Sequence, residues 1–332
     1  MKRYHLTFAK CGSHWVRDLL FDAGLLESNK LEPVYGNFEN VALAFSQPRE
    51  GSVIAPLYDL SLPLWEKFSG KDDLGVLVIR DPRDIIVSMV FSMAYSHALS
   101  PAIEVSRSLL HALPEEKWME AGMLFLSQQS ASMESWFAEL PQNVLRVCYR
   151  DLVADTESTF GRMLDFLKIQ AAPQDVRRIV TGNSFEAQTG RKAGEEDQWS
   201  HLRKGRPGDW ENHFTQAQAE LFERTWPGWL CRMGYESHSE WPARLSGEKS
   251  KIGKTPNDNG TTVPPEWIIQ KRAFEKRLLE QEKTVRKQQG YIGSLEGKRD
   301  DFLRRIKVLR AECERLGLEL KKRPRRGWFG RK

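Results

Sequence analysis

The first 240 residues predict an α/β domain built on a mostly parallel sheet. Three observations carry this. Short apolar runs alternate along the chain with segments whose apolar residues recur at helical spacing. The run Val76, Leu77, Val78 and Ile79 is continuous, as in a strand buried on both faces. Strand-like runs also lead into helix-start residues, the order expected of parallel strands joined by helices. The elements follow in turn. YHLTF is a short first strand. SHWVRDLLFDAGLL reads as an amphipathic helix with Ser13 as its N-cap. SVIAPLY is a short strand and GVLVIRD a stronger one. DPRDIIVSMVFSMA is a helix with Pro82 in its first turn. EKWMEAGMLFLSQQSASMESWFAEL is a long helix, NVLRVCYRDL a further strand, and DTESTFGRMLDFLKI a further helix.

Composition narrows the function classes. The chain has 332 residues, 40% hydrophobic and 29% charged, which suits a soluble globular protein with a charged appendage. A net charge of +5 is too small an excess to argue for nucleic acid. No apolar run reaches the length of a bilayer span. The start MKRYHLTFAK lacks the continuous apolar stretch of a signal peptide. Cysteines 11, 148, 231 and 313 are scattered without a CxxC pair, so a reducing cytoplasm is expected.

Past residue 240 the pattern changes. Residues 241–263, rich in Pro, Gly, Ser, Lys, Asn and Thr, read as a flexible linker. Residues 264–320 read as a long helix. With position a at 271 and every seventh residue after it, and d at 267 onward, twelve of sixteen core sites are apolar. Leu278, Ile292, Leu295, Ile306, Leu309 and Leu316 are among them. An unbroken register of this length points to a coiled coil and a homo-oligomer. Gly290, Gly293 and Gly297 weaken its middle by about 1 kcal/mol each relative to Ala. A solvated single helix is the alternative. The tail 321–332, KKRPRRGWFGRK, joins seven basic residues to a Trp-Phe pair, which suits peripheral contact with an anionic membrane or a solubilising end.

Three stretches carry chemistry. In TFAKCGSHW a strand runs into a turn and a helix start. Free backbone N–H groups and the positive helix end face one place there, an arrangement that holds phosphate-like anions. Gly12 lets an anion approach, Ser13 and His14 offer hydrogen bonds, and Lys10 adds a mobile charge. The nucleotide-triphosphate loop GxxxxGK[ST] ends on its lysine; here the lysine leads. In VLVIRDPRDIIVSM, Arg80 ends the strongest strand, where ligands bind in such sheets, and Ser88 follows in the next helix. Together they suit a second anion, although pairing of Arg80 with Asp81 or Asp84 is the plainer reading. In HLRKGRPGDWENHFT, Arg203, Lys204 and Gly205 make a further anion grip, or else a charged surface loop.

Taken jointly, AKCGSHW, RDPRDIIVS and RKGRPGDW resemble the PAPS-dependent sulfotransferase family, whose stretches read PKSGTTW, RDPRDxxxS and RKGxxGDW in the same order. The resemblance spans residues 4 to about 235. YRDL at 149–152 is similar to the family's YEDL, and NSF at 183–185 to its (T/N)SF segment. The resemblance implies a P-loop-NTPase-like parallel sheet flanked by helices, the sulfotransferase fold. It also implies in-line sulfuryl transfer from PAPS to an acceptor hydroxyl or amine, with PAP as product and no metal. Lys10 would stabilise charge on the bridging oxygen. Cys11, Gly12, Ser13 and His14 would surround the 5′-phosphate. Arg80, Ser88, Arg203, Lys204 and Gly205 would surround the 3′-phosphate. Trp15, Tyr149 and Phe185, with Asn183 and Ser184 beside Phe185, would frame the adenine.

The sequence departs from the family in two ways. Ala9 stands where the family has proline. The family's K-T-H segment, which supplies the general base, corresponds to SVIAPLYDL, with neither lysine nor histidine. Asp59 is the expected replacement, since Tyr58 would need a strongly lowered pKa; His14 is the alternative, and His97 a further one. The acceptor is expected to be a glycan or glycolipid-type hydroxyl, with a small phenolic or alcohol metabolite as the alternative. The glycan reading rests on the coiled coil and basic tail, which would suit a cytoplasmic enzyme at the inner face of a membrane. A nucleotide kinase and a non-catalytic PAP(S)-binding scaffold are the competing functions.

Overall fold

The computed structural model describes residues 1–36, 38, 41–98, 100–137 and 139–245. The expected coiled coil at 264–320 and the tail at 321–332 lie outside the described residues, as does the linker beyond residue 245.

YHLTF forms β1 (Arg3–Thr7), buried along its whole length. β2 (Glu32–Val34), β3 (Ser52–Tyr58), β4 (Leu74–Ile79) and β5 (Val144–Cys148) join it in the order β2-β3-β1-β4-β5, every pair parallel. The alternating apolar faces of these strands explain the layers. Tyr4, Leu6, Phe8, Leu77 and Ile79 pack on one side with the helices Pro82–Phe91 and Trp118–Ser135. Val53, Val76 and Val78 pack on the other with Val16 and Leu19 of the helix Ser13–Leu20 and with Phe160 and Met163 of the helix Thr156–Phe166. The sheet is thus covered on both faces, as the apolar run at 76–79 predicts. Pro82 does open its helix, and Asp81 caps it by accepting from the Arg83 N–H.

Two expectations differ in detail. Ser13 is not the N-cap of the first helix. Gly12 takes that position in a left-handed conformation, which a tight strand-to-helix turn needs, and Ser13 becomes the first helical residue. The predicted linker starts at 241, yet Trp241–Leu245 is a 3-10 turn with Trp241, Pro242 and Leu245 buried. The Trp241 ring packs edge-on against Trp210 and Phe222, burial that a linker would not provide.

Mid-sheet, His5 is fully buried, and neither ring nitrogen has a hydrogen-bond partner. Burial pushes its pKa down to about 3, so the folded state keeps it neutral. The unfolded chain takes up that proton below about pH 6.5, and the fold cannot until about pH 3. Stability from this residue is therefore complete above pH 6.5 and declines as pH falls toward 3. Urea denaturation of the protein and of His5→Leu should show the variant's relative stability rising by about 2 kcal/mol between pH 7 and pH 5. An equal difference at both pH values would contradict this origin.

Candidate active site

Strand order reverses beside β1, and the crevice outside the carboxyl ends of such strands is where α/β sheets bind ligands. Four strand ends meet there. β1 delivers Lys10 to Trp15, β3 delivers Tyr58 and Asp59, β4 delivers Arg80, and β5 delivers Tyr149.

The loop after β1 is held from three sides. The Ala9 N–H donates to Gln129 Oε1 at 3.1 Å, Arg80 Nη1 donates to the Lys10 carbonyl at 3.1 Å, and Ser13 Oγ lies 2.7 Å from the Tyr58 hydroxyl. Lys10 itself is left-handed at φ 68°, followed by Gly12 at φ 81°. A Cβ on Gly12 would meet the Tyr149 ring at 2.8 Å, so the close approach of that ring requires glycine as much as the backbone does. Cys11 is buried in the core with its thiol pushed up to about 12 by burial, and its backbone N–H bonds Phe8. The thiol is thus enclosed beneath the loop, near Arg80 and Asp59. Trp15 packs edge-on to Tyr149 at 6.2 Å, and its Nε1 has no partner.

Arg80 lies over the Tyr149 ring at 4.7 Å and 3.8 Å from Asp84, so the plain ion-pair reading holds in part. Its Nε donates to nothing. Ser88 is half-buried, one turn beyond Asp84 in the helix Pro82–Phe91. Asp84 has a second task. It accepts from the backbone N–H of Gly208 at 2.7 Å and of Trp210 at 3.1 Å, tying the late loop to β4. On that loop Arg203 and Lys204 both pair with buried Asp209 and with Glu196. Gly205 is left-handed at φ 64° and its missing Cβ makes room for the Phe185 ring. Asn183 and Ser184 use their side chains at helix ends: Asn183 Nδ2 donates to the Ile179 carbonyl, and Ser184 Oγ caps Ala187.

The field of the site is positive. Burial, then Arg80 and Arg203, lower the Lys10 pKa to about 7. Lys10 in turn is the largest cause holding His201 at about 4. Asp59 sits at the end of β3 with φ 56° and its carboxyl raised by burial; its backbone N–H bonds the Thr7 carbonyl. His14 is exposed and its ring stacks on His201 at 5.3 Å. The free donors, the crowded cations and the glycine cradle fit a ligand with two anionic groups.

A model of the sulfotransferase domain matches residues 63–234. The chain belongs to the sulfotransferase domain family. The expected class, a PAPS-dependent sulfotransferase, is borne out, and the nucleotide kinase falls away. Among curated relatives, this sulfotransferase is 25% identical over 236 residues to 3-alpha-hydroxysteroid sulfotransferase of Cavia porcellus, covering 66% of this chain and 80% of the relative. It is 26% identical over 247 residues to sulfotransferase 2A1 of Homo sapiens, with the same coverage. The crystal structure of mouse sulfotransferase SULT7A1 complexed with PAP superposes with a TM-score of 0.50 at 19% identity, over 70% of this chain and 88% of that one. That likeness is one of fold.

The sequence reading missed Tyr58 as the loop's partner, Asp84 and Asp209 as organisers of the late loop, and His201. A signal for the last is present. Tyr95-Ser96-His97 and Trp199-Ser200-His201 are matching tripeptides a hundred residues apart. Among the described residues no helix is long and apolar enough to cross a membrane.

Proposed function

We propose that this sulfotransferase moves a sulfuryl group to the hydroxyl of a small molecule with an apolar or aromatic body. The observation that carries the acceptor class is the aromatic pair beside the histidines. Trp199, 65% exposed, meets Tyr95 at 4.8 Å; Tyr95, in the π-helical turn Ser92–Ser96, stands two residues ahead of His97, and Trp199 two residues ahead of His201. Such a ring pair gives an apolar acceptor surface to bury while its hydroxyl faces Lys10. The relatives named for a hydroxysteroid substrate support this reading. The glycan expectation drew on residues 264–332, outside the described residues.

PAPS supplies the sulfuryl group on a bridging oxygen that gains charge as the group departs. Lys10 is the donor for that charge, on a loop fixed by Gln129, Arg80 and Tyr58. Ser13 and the amides of Gly12 to His14 hold the 5′-phosphate at the helix start. Arg80, Ser88, Arg203, Lys204 and the Gly205 amide hold the 3′-phosphate, and Trp15, Tyr149 and Phe185 frame the adenine.

The test is transfer of ³⁵S from PAPS to three acceptors: a hydroxysteroid, 2-naphthol and a glycan extract. Label is expected in the first two. Label confined to the glycan would overturn the acceptor class.

A further inference from the structure

Three histidines from separate parts of the chain come together beside the Lys10 loop: His14 and His201 stack at 5.3 Å, and His97 lies near enough to both to act on them. His14 opens the second position of the first helix, His97 follows the π-helical turn Ser92–Ser96, and His201 lies on the late loop. π-Turns inside helices recur at functional sites. Among the described residues no group of three or more His, Cys, Asp or Glu is arranged to hold a metal ion.

His201 is the best held of the three. Trp199 packs on Tyr95 to one side of it. On the other side Arg191 donates to the carbonyls of Leu202 and Arg203 at 2.6 and 2.8 Å. The Leu202 N–H returns to Ser200 Oγ at 3.2 Å. Its ring lies nearly parallel to His14, at 25°. Neither ring nitrogen of His201 is spent on a hydrogen bond among the described residues. A ring carried on a backbone held at both flanks, with its nitrogens free, is arranged to act on something that arrives.

We propose that His201, steadied by its stack on His14, takes the proton of the acceptor hydroxyl. This rests on the sulfotransferase reading of the site. As the acceptor oxygen bonds to sulfur, its proton passes to a His201 ring nitrogen. The bond from sulfur to the nucleotide breaks, and its electron pair stays on the 5′-phosphate oxygen facing Lys10. The exposed ring then returns the proton to solvent, and atoms and charge balance.

Electrostatics favour His201 over Asp59. A carboxylate beside a phosphosulfate meets like charge; a neutral imidazole does not. In the ligand-free protein Lys10, then burial, His14 and His97 hold His201 at about 4. A nucleotide anion beside Lys10 offsets the largest of these and moves His201 toward the neutral range where a general base works best. Arg17 and Asp18 also act on His14, and the charged residues next to His201 along the chain are Asp197, Arg203 and Lys204.

The experiment has two arms. In the first, the imidazoles of the full-length ¹⁵N-histidine protein are titrated by NMR with and without 3′,5′-ADP, His201→Gln giving the assignment. The His201 midpoint should rise by about one unit or more with nucleotide, following the removal of the Lys10 field. An unmoved midpoint in a nucleotide-bound protein overturns the proposal. Failure of 3′,5′-ADP to bind at all overturns the site reading as well. In the second arm, transfer from PAPS to 2-naphthol is followed against pH. His201→Gln should lower kcat by about 10²-fold or more and remove the acid limb. Its affinity for 3′,5′-ADP should stay within threefold of the parent. Retention of the acid limb in His201→Gln, or its loss in Asp59→Asn instead, overturns the assignment. A parallel loss of rate and nucleotide affinity in His201→Gln does so too, because it indicates a structural role.

Discussion

Lys10→Ala will lower kcat for sulfuryl transfer by about 10²- to 10³-fold, the cost of losing one donor aimed at developing oxyanion charge. It will do so without loss of stability. Lys10 already occupies a left-handed backbone position, so alanine meets the same backbone strain rather than a new one. Its ammonium is crowded by Arg80 and Arg203 and pushed down to about 7, so removing it relieves repulsion and burial cost. An unchanged or higher Tm together with collapsed turnover separates a catalytic lysine from a structural one. The same lysine sets a pH dependence. With its ligand-free pKa near 7, the ammonium loses its proton as pH rises, and its attraction for an anion goes with it. Affinity for 3′,5′-ADP should fall between pH 6.5 and 8.5 in the parent and stay flatter in Lys10→Ala, as calorimetry at the two pH values will show. A Tm lowered by several degrees, or equal slopes in both proteins, would contradict this account.

Arg83→Ala will cost about 3–5 kcal/mol of stability, the range for removing one partner of a buried ion pair. Arg83 is the second arginine of RDPRD and is 2% exposed. Its guanidinium lies 3.6 Å from the Trp210 ring centroid and 4.6 Å from that of Trp241. It also pairs with Asp81 at 2.6 Å and with Glu236. Alanine would leave both carboxylates short of a partner and open a void between two indoles. Arg244 partly covers Glu236, at 2.7 Å, but nothing comparable replaces the contact to Asp81. Urea denaturation will measure the loss. Arg83→Met, which refills the space between the rings, should recover some of the packing and none of the pairing. A loss under about 1 kcal/mol for alanine would mean the cluster is not the hub its geometry implies.

Much of the fold was legible because its signals are local. Val76 to Ile79 announce a strand covered on both sides, and Pro82 announces a helix start, from a few residues each. The anion loops were legible for a similar reason: a lysine, a glycine and a helix start stand within five residues. The rest depends on pairings across long separations. Ser13 looks like a cap in sequence, but its hydroxyl is met by Tyr58, forty-five residues on, while Gly12 takes the cap's backbone role. Asp84 reads as part of a strand-end motif, and nothing local reveals that its carboxylate holds the amides of Gly208 and Trp210. The base was sought near Asp59 because that is its neighbourhood in chain order. The late loop brings His201, the base proposed above, onto His14 of the Lys10 loop from nearly two hundred residues away.

Asp209 and Glu196 change what binding means at this site. The cations proposed to receive the 3′-phosphate are not bare: Arg203 and Lys204 hold carboxylates of their own chain. On the proposed reading, entry of the nucleotide is then an exchange of counter-ions rather than a capture. A stray inorganic anion, with one charge centre, has to displace those carboxylates without help from the Lys10 loop. A nucleotide with phosphates at both ends displaces them with the second anchor already made. On the proposed reading of the site, the internal carboxylates disfavour ligands that can grip only one end.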